Sequence, residues 1–181
     1  WDYKNGTVDI SIPNYIEKTL KRFQHVARAR AQHSPHKWKA PIYGDKTQYA
    51  DDDTSTPVPG KATKHVQQVV ASLLYYALAL DLTMLVALGS IASQQTTPTK
   101  KTMSEITWLL DYCATHPDAT IHYKQSDMVL WSALDTSYLS EPKALSRAGA
   151  IFFLSEQPPL NGATPTKQPK QNGTIHAVAK I

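Results

Sequence analysis

The chain has little of what small stapled or redox proteins need. Its 181 residues include one Cys and 7 Gly. A single Cys113 excludes an internal disulfide framework and predicts a reducing, intracellular compartment, either cytoplasmic or nuclear. Cys113 lies on the apolar face of a predicted helix. It is therefore interpreted as a packed thiol rather than as a nucleophile.

Motifs of two common site classes are also missing. No Gly-x-Ser-x-Gly sequence occurs, so the nucleophile elbow of an α/β hydrolase is excluded. His33 and His36 are three residues apart, but Pro35 separates them, and no Cys or acidic pair stands at zinc-like spacing. A structural zinc site is therefore not predicted. The sequence shows no internal repeat.

Neither a secretory signal nor a membrane span is predicted. The chain opens with Trp-Asp-Tyr-Lys, without an initiator Met or an apolar leader, and is interpreted as part of something longer. The most apolar stretch, Val69 to Ala92, carries Asp81 at its centre. An aspartate there would cost roughly 3 kcal/mol on membrane insertion. Two soluble helices broken near Asp81 are predicted instead, with no membrane partner.

Length and charge set wide limits on function. A chain of 181 residues can bury one core or two small ones without staples. The formal net charge of +4 makes the protein mildly basic. That charge permits binding to nucleic acid without requiring it.

The first thirty residues predict a hairpin and a basic helix. Asn5-Gly6 is a typical hairpin turn within Trp1 to Ile12. Ser11 is the predicted N-cap of the following helix, with Pro13 in its first turn. The apolar face of this helix is formed by Tyr15, Ile16, Thr19, Leu20 and Phe23. The candidate nucleic-acid-binding cations are Lys18, Lys21, Arg22, Arg28 and Arg30. The alternative interpretation is an ordinary solvated helix face.

The middle of the chain predicts a linker followed by three helices. Residues 32–64 are rich in Pro, Gly and Asp and exceed a usual connection, so they are interpreted as a linker, with Asp51-Asp52-Asp53 as a solvated acidic run. Helical spacing returns at Val66 and resumes after Asp81. A capping box of Thr102 and Glu105 is predicted to open the third helix.

Short apolar runs after residue 118 predict strands. These runs are Ala119 to Tyr123, Met128 to Leu134, Ala150 to Ser155 and Thr174 to Ala179. Helices followed by strands predict a mixed α+β chain, with a helical segment preceding a sheet.

The segment WSALDTSYLSEPKALSRAGAIFFLS resembles the start of the ribonuclease H domain in the polyprotein of copia-type LTR retrotransposons. The segment VDISIPNYIEKTLKRF resembles the end of the reverse transcriptase palm and the start of the thumb in the same family. VVASLLYYALALDLTMLVALGSIAS is similar to the helical connection, and TWLLDYCATHPDATIHY to the helix and strand that follow it. The resemblance implies a palm hairpin and thumb-like helix in 1–31, a linker in 32–64, a helical connection in 65–117 and an incomplete ribonuclease H-like sheet in 118–181.

The resemblance implies one catalytic residue, Asp135, as a metal ligand closing the first strand of the sheet. The parent activities are RNA-directed DNA polymerisation and Mg²⁺-dependent cleavage of RNA·DNA hybrids. Such cleavage needs several carboxylates around two metal ions. After Asp135 the only acidic residues are Glu141 and Glu156, and neither matches the second ligand of the family. The chain is therefore predicted to be inactive alone, to need no cofactor, and to complete a metal site only with sequence outside it.

The sequence also departs from the family beside Asp135. Leu134 stands where a serine is usual, and Leu145 where a basic residue is common.

Three hypotheses of function follow. The first is a polyprotein fragment that binds the backbone of a hybrid or duplex weakly, beside the remainder of the polyprotein. In it Trp38 either stacks on a base or, as we favour, anchors the linker. The second is an active nuclease that completes its site with Asp127 or Glu141. The third is a non-catalytic interaction module that exposes the apolar helices of Val69 to Ala92.

Overall fold

The computed structural model describes residues 1–37, 50–158 and 169–181, and this part of the chain is of the predicted mixed α+β class. Trp38 and Lys39 lie outside the described residues. The helices are α1 (Tyr15–Arg22), α2 (Gly60–Ala79), α3 (Leu85–Ser93) and α4 (Lys100–Thr115). The strands are β1 (Thr7–Ser11), β2 (Thr120–Lys124), β3 (Val129–Glu141), β4 (Leu145–Ser155) and β5 (Thr174–Lys180).

The helices α2, α3 and α4 enclose the hydrophobic core. Val66, Val69 and Leu73 of α2 recur at helical spacing and are fully buried. They belong to one apolar cluster with Leu88 of α3 and Leu109 of α4. The same cluster contains Ile16 of α1 and Ala177 of β5, so residues from all the segments predicted as separate, except the linker, share one core.

Asp81 separates α2 from α3, as predicted. Its Oδ1 accepts a hydrogen bond from the Thr83 amide at 3.2 Å and opens a short 3₁₀ turn, Leu82–Met84. Its Oδ2 accepts a hydrogen bond from the Tyr112 hydroxyl at 3.0 Å. The carboxylate is buried, so these donors replace the water that it loses on folding.

The predicted N-terminal hairpin is wrong in its extent. A single bridge, Asp2 to Thr7, surrounds the Asn5-Gly6 turn. Residues 7 to 11 pair instead with β2 in an antiparallel two-stranded sheet. The helix α1 has Asn14 as its N-cap and not Ser11, because Ser11 is the last residue of β1.

The described part of the predicted linker lies against the start of α4. The Val58 amide donates to the Pro98 carbonyl, and the Lys100 amide to the Thr56 carbonyl. Asp53 accepts hydrogen bonds from the hydroxyls of Ser55 and Thr99. The prediction that Asp53 belongs to a solvated acidic run is therefore wrong.

Burial opposes the charge of Asp53, but these hydrogen bonds outweigh it and lower the pKa of its carboxyl. The N-cap of α4 is Thr99, which forms a reciprocal capping box with Thr102. Thr102 is thus the third helical residue rather than the predicted cap, and Glu105 takes no part in the box.

Strands β3, β4 and β5 form the second sheet, antiparallel and in sequence order. The strand β3 continues through Asp135 to Glu141, so the prediction that Asp135 closes its strand is wrong. The strand continues because Thr136 and Ser137 pair with Ala148 and Arg147, and the Ser137 hydroxyl accepts from the Arg147 amide. The predicted single sheet after residue 118 is in fact divided, since β2 pairs only with β1.

Candidate nucleic-acid interface and the Asp135 region

Asp135 lies beside a mainly apolar groove. Its partners in register are Gly149 of β4 and, beyond it, Ala179 of β5. The carboxylate is exposed at a groove of about 350 Å³ between the sheet and the start of α3. The side chains along this groove include Leu82, Leu85, Val86, Ala133, Ile151 and Ala177. Such a lining offers few oxygen atoms to a cation.

The described residues do not fit the Mg²⁺ site that the resemblance implies. Mg²⁺ takes an octahedral shell of oxygen atoms and usually needs more than one carboxylate. In the described stretches, no group of three His, Cys, Asp or Glu residues is placed to hold a metal ion. Glu141 accepts a hydrogen bond from Arg147 Nε at 2.7 Å, and Asp127 accepts one from the Gln157 amide. Both carboxylates suggested as partners of Asp135 are therefore engaged elsewhere.

Arg147 serves the packing of the sheet on α3, a role that the sequence did not reveal. Its side chain and that of Glu141 are both largely buried. A Cβ atom added to Gly89 of α3 would lie 3.3 Å from Arg147 Nη1, which is a tight contact. Gly89 thus allows the guanidinium to approach the helix closely, and the ion pair is structural.

Lys18, Lys21 and Arg22 form the basic face of α1. All three are exposed, while Ile16 and Thr19 on the opposite side are buried. The helix is thereby fixed against the core with its cations in solvent. The structure brings these three predicted residues together as the sequence suggested.

The two remaining predicted cations are placed differently. Arg28 Nε lies 3.0 Å from Asp111 Oδ2, and His25 Nε2 lies 2.9 Å from the other oxygen of the same carboxylate. Asp111 is buried, so Arg28 compensates a charge of the fold. Arg30 is exposed in the irregular segment after α1. The basic face of α1 is therefore the stronger candidate interface.

Two further cations that the sequence analysis missed belong to α2. The helix α1 runs antiparallel to α2, because Tyr15 donates to the Ser72 carbonyl while Phe23 contacts the His65 ring. The first turns of α2, with exposed Lys61 and Lys64, therefore lie towards the C-terminal end of α1. Only the tertiary packing of the two helices brings these lysines near the basic face.

The apolar helices of Val69 to Ala92 are not exposed as the third hypothesis requires. Most of their large apolar side chains belong to the core. The exposed exceptions are Leu74, Tyr75, Leu78 and Val86. No helix within the described ranges is long and apolar enough to cross a membrane.

Comparison of the chain with protein-family models, with curated proteins and with solved structures gives no match. The retrotransposon resemblance therefore stays a prediction from the sequence.

Proposed function

We propose that this chain is a segment of a copia-type reverse transcriptase and ribonuclease H polyprotein that holds nucleic-acid backbone weakly through the basic face of α1. The single observation that carries this proposal is the arrangement of Lys18, Lys21 and Arg22. They are exposed together on a helix whose other side is anchored in the core.

The spacing of the cations suits a phosphate backbone. Residues 18 to 22 rise about 6 Å along a helix axis. Each strand of a duplex carries one phosphate per roughly 3.4 Å of its own axis, so three cations can neutralise neighbouring phosphates. Contacts of this kind fix position without reading sequence. A small number of contacts accounts for weak binding that is sensitive to salt.

The second sheet gives less specific support to the same proposal. Three antiparallel strands in sequence order, with Asp135 on the first, agree with the resemblance to the start of a ribonuclease H domain. In the complete parent, Mg²⁺ would supply the hydrolytic chemistry and further carboxylates would hold it. The described residues supply a single carboxylate in an apolar groove. Our proposal for this chain alone is therefore binding without cleavage.

Removal of the basic face should weaken binding to an RNA·DNA hybrid. We expect the triple variant Lys18→Ala, Lys21→Ala, Arg22→Ala to lose at least about tenfold in affinity at low salt. The slope of log K against log salt is negative, and it should become less steep by about 2 to 3, because roughly three counterion releases are lost. Fluorescence anisotropy across a salt series measures both quantities.

A control of equal charge change is available on strands β2 and β5 and on the segment before β5. The variant Lys124→Ala, Lys170→Ala, Lys180→Ala also removes three exposed cations. It should retain nearly all of the affinity and slope. Equal losses in the two variants, or no loss in the first, would show that α1 is not the interface. Circular dichroism checks that both variants stay folded.

The alternative, a non-catalytic interaction module, is favoured by one observation on the second sheet. Leu130 and Leu134 of β3 are 60% and 72% exposed. In register, Leu134 lies beside Ala150 and Val178, so these three residues form an apolar patch on the sheet. Exposed apolar surface of this kind often serves protein association.

This alternative predicts association that rises with protein concentration and is abolished by Leu134→Asp. Sedimentation equilibrium over a wide concentration range distinguishes the two functions. A constant monomer mass together with salt-dependent binding to the hybrid would exclude the alternative.

A further inference from the structure

Three tyrosine rings lie against one another where α1 packs on α2. The Tyr15 ring is stacked on Tyr76, with centroids 5.4 Å apart and an interplanar angle of 9°. On its other contact the Tyr15 ring meets Tyr75 at 5.7 Å and 43°. Tyr76 is 1% exposed and Tyr75 is 60% exposed. The series therefore leads from the core to the surface, and Tyr75 is its solvent end.

The two inner rings are held by hydrogen bonds. The Tyr15 hydroxyl donates to the Ser72 carbonyl at 3.0 Å. The Tyr76 hydroxyl donates to the Pro117 carbonyl and accepts from the Ala119 amide. Tyr75 rests against this fixed pair through the Tyr15 ring. A ligand that stacks on Tyr75 would thus meet a ring that already contacts this fixed pair and has more than half of its surface in solvent.

Positive charge begins one helical turn from the rings. Lys18 and Arg22 follow Tyr15 at positions i+3 and i+7, which places them on the same side of α1. Burial raises the pKa of the Tyr15 hydroxyl, Tyr75 adds to that rise, and the Arg22 cation opposes it. The exposed Glu17 is the acidic residue of this helix, beside three cations. The exposed Tyr75 ring and the basic helix face therefore both lie next to Tyr15.

We infer that this surface takes single-stranded nucleic acid, with one unpaired base stacked on Tyr75 and the adjoining phosphates held by Lys18 and Arg22. The inference rests on the proposed function and extends it from the backbone to a base. Base stacking on aromatic side chains beside a basic groove is sequence-tolerant, because every base has a π-face. A blunt duplex covers those faces with neighbouring base pairs except at its two ends, so it gains little from Tyr75. A single strand, or the overhang at the end of a hybrid, gains the stacking contact.

The exposed Leu74 and Leu78 beside Tyr75 also suit a protein partner. The cations of α1 favour the nucleic acid, since an apolar protein contact would offer no negative charge to Lys18 and Arg22. A protein partner is therefore one outcome of the experiment that follows.

The test compares two probes on the full chain at one salt concentration. The probes are a single strand of about 12 thymidines and a blunt RNA·DNA hybrid of about 20 base pairs. Tyr75→Ala should lower affinity for the single strand by about 5- to 100-fold. Affinity for the blunt hybrid should change by less than about twofold, since its base faces are open only at the two ends. Tyr75→Phe keeps the ring and should retain binding to both probes.

Tyr138→Ala is the matched control, because Tyr138 is 84% exposed on β3 and lies far from α1 in the chain. It should alter neither affinity. A second readout is photocrosslinking from 5-iodouracil placed within the single strand. We expect mass spectrometry to locate the crosslink on Tyr75 of the wild-type chain.

The outcomes separate this inference from the proposed function. If Tyr75→Ala leaves single-strand affinity intact, or lowers both affinities equally, the stacking inference is overturned. In that case the proposed function still stands wherever the triple variant of α1 loses salt-dependent binding. If the triple variant loses nothing, the proposed function fails first. Self-association that Tyr75→Ala abolishes, without any change in nucleic-acid affinity, would assign the surface to a protein partner and overturn the inference.

Discussion

Replacement of Leu73 by Ala should lower the free energy of unfolding by about 2 to 5 kcal/mol. Leu73 is fully buried at the middle of α2, within the cluster that joins all four helices. The loss combines the transfer free energy of the removed atoms with the cavity left between packed helices. It would be a large part of the 5 to 15 kcal/mol that roughly bounds the stability of a domain. Urea denaturation followed by circular dichroism measures the change.

The neighbouring Leu74 supplies the control. It is 37% exposed on the same helix, and Leu74→Ala makes the same change in helix propensity. Its cost should stay below about 1 kcal/mol. Similar losses at the two positions would mean that the helices do not enclose the core described for α2, α3 and α4.

The second large effect is a loss of stability at alkaline pH. Burial is the main cause that raises the pKa of Tyr112 and that of Cys113, each to about 12. Their ordinary values are 10.0 and 9.0. The unfolded chain releases these protons at lower pH than the folded chain, so the folded state is disfavoured as the pH rises. The contribution of these two groups to the free energy of unfolding is complete below about pH 9 and is lost between about pH 9 and 12.

The slope in question is the fall of the free energy of unfolding with pH. Each group should add about 1.4 kcal/mol per pH unit to it once that group has titrated in the unfolded chain. Urea unfolding at several values between about pH 8 and 11 measures the slope. The double variant Tyr112→Phe, Cys113→Ala should flatten it relative to the wild type. A Tyr138→Phe variant, changed at an exposed tyrosine, should not.

Thiol chemistry gives an independent readout of the same burial. Cys113 is 1% exposed, with its sulfur 3.5 Å from that of Met84. Ellman's reagent at about pH 8 should react with it only as fast as the chain unfolds. Rapid reaction in native buffer, or an unchanged slope in the double variant, would contradict the assigned burial.

The helices were predictable because their apolar residues repeat at the period that packing requires. Val66, Val69 and Leu73 mark α2 in the sequence and are buried in the structure. Strand pairing was less accessible, since the partner of β1 lies beyond all four helices. The polar run after Asp135 suggested a turn, yet the hydroxyl of Ser137 keeps it paired with β4.

The candidate interface, too, could be predicted from the sequence only in part. The side of α1 that carries Lys18, Lys21 and Arg22 follows from helical spacing alone. The ion pair of Arg28 does not, because its partner Asp111 is 83 residues away in sequence, on α4. The contribution of Tyr75 also depends on how α1 packs against α2, which local sequence does not encode.

The pairing of β1 with β2 has a consequence for synthesis on the ribosome. Ser11 and Thr120 form its nearest pair in sequence, and all four helices lie between them. At about 5 to 20 residues per second, β2 is made roughly 5 to 20 seconds after β1. During that interval β1 has unpaired amides and carbonyls while α1 to α4 are made one after another. The strand β1 is thus paired late, although it is made first. Until β2 is made, its unpaired edge is open to a chaperone or to another nascent chain.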